Sequence, residues 1–184
     1  MSRVRLEGLV FLISYGACIP AANWLIGHLG TACVPNGPCL IPVAPGIHAP
    51  SGVLMIGLAL VLRDLVQRRL GLYWSVVAVL AGAALSALVA PPSLVYASAA
   101  AFLLSEFADL AVYTPLQRRR LVLAVLASGL AGLVVDSIVF LYLAFGDLTF
   151  LPGQVIGKTW MVLLSLPVIR WLRERDLRLG IQPA

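Results

Sequence analysis

Residues 104–120 read LSEFADLAVYTPLQRRR. Glu106 and Asp109 stand inside an apolar run that ends in three arginines. A run of this kind reads as a helix crossing a bilayer, where an ionisable group near the centre costs about 2.5 to 3.5 kcal/mol on insertion scales. Such groups face the bundle interior and hold a partner or a job.

The rest of the chain agrees with that setting. Of 184 residues, 61% are hydrophobic and 11% charged, and the mean hydropathy is +0.99. A soluble domain carries about a quarter charged residues. Division by the roughly 20 apolar residues of a spanning helix predicts six crossings, at about 8–28, 50–67, 72–90, 93–116, 121–145 and 152–172. The fold class is thus an all-α integral membrane protein, a six-helix bundle forming one domain over 1–184. The runs are long and continuous, without the alternation of a membrane barrel strand, so strands are not expected. Gly71, the pair Pro91-Pro92 and Pro152 punctuate the helices.

Twelve arginines, from Arg3 and Arg5 through Arg118, Arg119 and Arg120 to Arg178, border the spans on one side. The opposite loops, near 29–50, 90–93 and 146–151, contain no lysine or arginine. The positive-inside rule therefore predicts both termini in the cytosol. The net charge of +5 is a topology signal, and no nucleic-acid partner is expected because the arginines form no separate basic domain. The first run is too long for a signal peptide and reads as a retained helix. The outer segment TACVPNGPCLIPVAPG, with five prolines from Pro35 to Pro50, reads as a stiff lid. Its Cys33 and Cys39 are either a disulfide or two free thiols, and Cys18 reads as packing.

Six ionisable side chains lie within spans: Arg63, Asp64, Glu106, Asp109, Asp136 and Lys158. Arg63 is near enough to a helix end to snorkel. Glu106 and Asp109, three residues apart, share one helix face. Two like charges so close need a cation, and Lys158 is the only lysine. Such a cluster is either an internal ion-pair network or a functional site. Small residues, among them Gly82, Ala83, Gly129 and Gly132, already permit close helix packing without ionic glue, which favours function.

Catalytic patterns such as HExxH or GxSxG are absent, and the two histidines, His28 and His48, lie near the outer surface. No enzyme, metal or cofactor is expected. A polar cavity at mid-membrane is the usual form of a solute transporter's site.

The segments LVLRDLVQRRLG (60–71), SEFADLAVYTPLQRR (105–119) and ASGLAGLVVDSIVFLYLAF (127–145), with Lys158 and the first-helix AANWL (21–25), resemble the queuosine precursor transporter family, also called the vitamin uptake transporter family. The resemblance covers most of the chain apart from the third helix. The chain departs from the family in its long proline-rich loop and in Glu106, where some relatives carry an amide. What the resemblance implies is a six-helix inner-membrane importer of 7-deazaguanine precursors of queuosine, such as 7-cyano-7-deazaguanine.

The chemistry of such a base suggests roles. One carboxylate, Glu106 or Asp109, accepts its N1 hydrogen and exocyclic amine as two parallel hydrogen bonds. Its carbonyl needs a donor from Lys158, Asn23 or Gln154, and Trp24, Phe107 or Trp160 is placed to stack on the ring. Asp64 and Asp136 are expected to close the same cavity or to carry a proton, so that import is proton-coupled. A homodimer is expected, because six helices leave little material for both a scaffold and a moving part. The rival readings are the substrate-binding membrane subunit of an ATPase-energised importer and a membrane-embedded enzyme.

Overall fold

A computed structural model describes residues 3–35 and 37–182, and it is 79% helical. Six α-helices are present among them: α1 Arg3–His28, α2 Val53–Leu70, α3 Leu72–Val89, α4 Val95–Leu116, α5 Leu121–Phe145 and α6 Leu151–Leu179. A 3₁₀ turn, Pro92–Leu94, leads into α4. Five stretches are long and apolar enough to cross a membrane: α1, α3, Pro92–Leu116, α5 and α6. The exception is α2, which holds Arg63, Asp64, Gln67, Arg68 and Arg69 within its 18 residues.

That exception organises the bundle. α2 touches every other helix, and none of its residues is exposed. A helix so polar is stable inside a bundle only if each charge meets a partner there. α4 and α5 form the most extensive helix pair. Two apolar clusters fill the interior, one around Leu60, Leu65, Val125 and Ile169, the other around Tyr15, Ile19, Val79 and Phe102.

The helix boundaries follow local chemistry. Between α2 and α3 there is one residue, Gly71 at φ +91°, a conformation that side chains rarely adopt. α5 stops at Gly146 in the left-handed region, and Pro152 occupies the first turn of α6, where its missing N–H costs nothing. α1 starts five residues before the expected boundary, and α6 runs to Leu179 rather than 172. Both extensions are held by ions rather than by apolar burial. Glu7 accepts from Arg175 at 2.6 Å and pairs with Arg69 at 3.1 Å, while Asp176 accepts from Arg68 and Arg69 at 2.8 Å each.

Strands were not expected, yet the segment between α1 and α2 forms a three-stranded antiparallel sheet: β1 Ala32–Cys33, β2 Cys39–Ala44 and β3 Ile47–Pro50. The prolines had obscured a hairpin whose turn is Pro45-Gly46, with Gly46 at φ +72°. Leu40 pairs with Pro50 and Ile41 with Ala49. Cys33 and Cys39 face each other across β1 and β2 and are joined as a disulfide. The sheet is pinned to the bundle at two points: Ser51 Oγ donates to Leu25 O at 2.7 Å, and Trp160 Nε1 donates to Val43 O at 3.0 Å. The bundle therefore has a sheet end and an arginine end.

Candidate functional site

The sequence placed the ionisable groups in one cluster; the structure sorts them into two, at different depths. The first lies toward the sheet end and opens into a pocket. Lys158 of α6 donates to Asp136 Oδ2 at 2.5 Å and to Ser137 Oγ at 2.8 Å, both on α5, and also to Gln154 Oε1 one turn back on its own helix. Ser137 in turn donates its own hydroxyl to Leu133 O at 2.6 Å. Lys158 is 1% exposed, Gln154 4% and Asp136 8%. The lysine reaches this position because α2 comes very close to α6: a Cβ at Gly57 would stand 2.9 Å from the Lys158 Cα. Only glycine permits that approach.

The pocket above this cluster leaves about 620 Å³ free of atoms, open solvent at its mouth included. Asp136, Lys158, Gln154 and Asn23 line it together with Ser86 and Ser98. Its apolar walls include Ile19, Val53, Phe102 and Phe140, and Pro50 at the end of β3 brings the sheet to its rim. Asn23 is held by a bond from its amide to Ile19 O at 3.0 Å. The arrangement is a mostly apolar cleft with a few converging polar groups of both signs, able to hold a flat heterocycle by its edge.

The second cluster lies deeper and is sealed. Arg63 is fully buried rather than snorkelling to the helix end. Its Nη2 lies 3.0 Å from Asp64 Oδ1 and is bonded to Asp109 Oδ1; its Nε donates to Glu106 Oε2 at 3.1 Å and its Nη1 to Gln67 Oε1 at 3.2 Å. Tyr113 presents its ring 5.7 Å from the guanidinium, a cation–π distance. Tyr15 donates to Glu106 Oε1 at 3.3 Å, and Ser128 donates to Asp64 Oδ2 at 3.1 Å. Helices α1, α2, α4 and α5 are thus tied through one guanidinium. The cation beside Glu106 and Asp109 is Arg63, not Lys158.

Of the residues expected to bind a solute, the structure brings Lys158, Asp136, Gln154 and Asn23 to the pocket. Glu106, Asp109 and Asp64 belong to the sealed cluster. The rings of Trp24, Phe107 and Trp160 are 56%, 43% and 50% exposed on the outside of the bundle. Trp24 stacks on His28 at 5.0 Å, and Trp160 holds the sheet.

Sequence reasoning missed Phe102, Phe140 and Tyr15. The signal was available in helical spacing. Phe102 is four residues before Glu106 and Phe140 four after Asp136, on the same faces as those carboxylates, while Trp24 and Phe107 are neighbours of the polar residue and so turned about 100° away.

Against known proteins, the model of a family described as "Putative vitamin uptake transporter" matches residues 52–172, from the start of α2 to the last apolar turn of α6. No curated protein and no solved structure matches the chain.

Proposed function

This chain belongs to the vitamin uptake transporter family, and we propose that it imports a flat, guanine-like heterocycle, a 7-deazaguanine precursor of queuosine, through the pocket above Lys158. The observation that carries this reading is the Lys158–Asp136–Gln154 floor set among apolar walls. A guanine-type edge offers two adjacent N–H donors beside a carbonyl. Asp136 accepts both donors as parallel bonds, and Lys158 turns from its carboxylate partner to the carbonyl. Both charges of the pair then keep hydrogen-bonding partners, which a buried ion pair must do when it opens. Phe102 and Phe140 supply faces for the ring.

In this reading all six helices cross the inner membrane, α2 included, because burial on every side relieves its charges of contact with lipid. Both termini and the arginine end lie in the cytosol, and the pocket faces outward beneath the sheet. Import is coupled to protons, and the working unit is a homodimer whose mass in lipid discs checks that point.

The test is binding of 7-cyano-7-deazaguanine to the purified protein, followed by uptake into proteoliposomes. Lys158→Ala and Asp136→Asn are each expected to weaken binding at least tenfold, the equivalent of about 1.4 kcal/mol for one lost charge-assisted hydrogen bond. Solute recovered unchanged inside vesicles holding this protein alone supports a self-sufficient carrier rather than an enzyme or an ATPase subunit. Equal affinity in wild type and both variants would falsify the site.

A further inference from the structure

The sealed cluster does not balance its charges. One guanidinium, that of Arg63, faces the three carboxylates of Asp64, Glu106 and Asp109. None of the four residues is more than 1% exposed. Full ionisation would leave two uncompensated negative charges out of water, at a penalty of several kcal/mol each. A carboxylate so placed takes up a proton instead.

The hydrogen bonds indicate which oxygens are concerned. Both oxygens of Glu106 accept, from Tyr15 and from Arg63. Asp109 Oδ1 accepts from Arg63 and Asp64 Oδ2 from Ser128. Asp109 Oδ2 and Asp64 Oδ1 are buried without a hydrogen bond, although Asp64 Oδ1 lies in ion-pair contact with Arg63 Nη2 at 3.0 Å. The guanidinium occupies the centre of the three carboxylates, where a metal cation would otherwise sit, so the missing positive charge is best supplied by protons on the two carboxyls with an oxygen free of hydrogen bonds, first at Asp109 Oδ2 and then on Asp64.

We propose that Asp109 and Asp64 are the proton-binding groups of this transporter, forming with Arg63 a proton site distinct from the solute pocket. This rests on the transporter reading above and deepens it. One proton on each carboxyl brings the cluster to neutrality without moving Arg63. Other titratable groups facing it are Tyr15 and Cys18 from α1, Arg68 and Arg69 from α2, Tyr113 from α4 and Asp136 from α5, the last paired with Lys158 of α6. The buried face of α3 contributes none.

A physical link joins the two sites. Phe102 lines the solute pocket, its ring lies 6.1 Å from that of Tyr15, and Tyr15 donates to Glu106. A solute that displaces Phe102 therefore acts on the Arg63 cluster through one hydroxyl.

The test needs no solute, so its failure is distinguishable from failure of the substrate assignment. Infrared spectra of the purified protein in lipid discs at neutral pH are expected to show the carbonyl stretch of protonated carboxyl groups, shifted by deuterium exchange. The band should shrink in Asp109→Asn and in Asp64→Asn and persist in Asp147→Asn, which alters an exposed loop carboxylate. Absence of the band in wild type overturns the proposal whether or not the variants fold. Loss of the band in Asp136→Asn alone, or its removal by sodium ions, likewise overturns it, the latter in favour of a metal cation.

Discussion

Helices α2 and α3 have 18 residues each and are separated by one glycine, yet they are built on opposite principles. α2 carries the charges and buries twelve residues. α3 has no charged residue, buries six and leaves Tyr73, Leu80 and Leu88 exposed. In water the more apolar helix would be the inner one. In a bilayer, lipid already solvates apolar side chains, so nothing drives α3 inward, whereas the charges of α2 find partners only among other helices. The inner helix of this bundle is therefore the one that hydropathy alone would reject as a span.

The comparison breaks most readily at Arg63. Replacing it with Met leaves Asp64, Glu106 and Asp109 buried without their cation, and loss of one member of a buried ion cluster costs about 3 to 5 kcal/mol. Denaturant unfolding in mixed micelles should show that loss, and a wild-type curve would mean that the cluster does not hold α2 in place. Next in size is Gly57→Leu. Even a Cβ added there would stand 2.9 Å from the Lys158 backbone, so the larger side chain must push α2 away from α6, at about 1 to 3 kcal/mol for overpacking. The same unfolding assay reads it, and solute binding at Lys158 should fall with it.

Tyr15→Phe removes one donor from Glu106 while Arg63 remains. A cost of about 1 kcal/mol is expected, together with weakened dependence of uptake on a pH gradient, since the link from Phe102 is cut. Unaltered gradient dependence would show that Tyr15 is only a packing residue. The smallest change sharpens the other side of the comparison. Leu88 of α3 is 83% exposed, and Leu88→Ala should leave stability within about 0.5 kcal/mol of wild type. A loss as large as that of Gly57→Leu would place α3 against protein rather than lipid.

Much of the bundle was legible because the bilayer imposes a length. A run such as 121–145 admits few readings, and α5 occupies those residues. Arg63 was less legible. From the chain alone its long side chain reaches the interface as readily as an internal carboxylate, and the choice depends on which way α2 is turned and on what α4 presents to it. The same holds for the stacking aromatics. Whether Phe107 or Phe102 faces inward differs by rotation about one helix axis, and the periodic apolar faces that fix such rotation in soluble helices are weak where lipid accepts all sides. The sheet was hidden for another reason: its strands are short, and seven of their residues are prolines or lie beside one.

What the amino-acid order determined by itself is that this chain lives in a membrane as helices, that it keeps ionisable groups within them, and which ends carry the arginines. Those follow from costs that apply residue by residue. Only the tertiary arrangement decided that Lys158 answers Asp136 across an open pocket while Arg63 answers three carboxylates in a closed one. Pairing of charges is a relation between helices, and no single segment holds the distance that makes it.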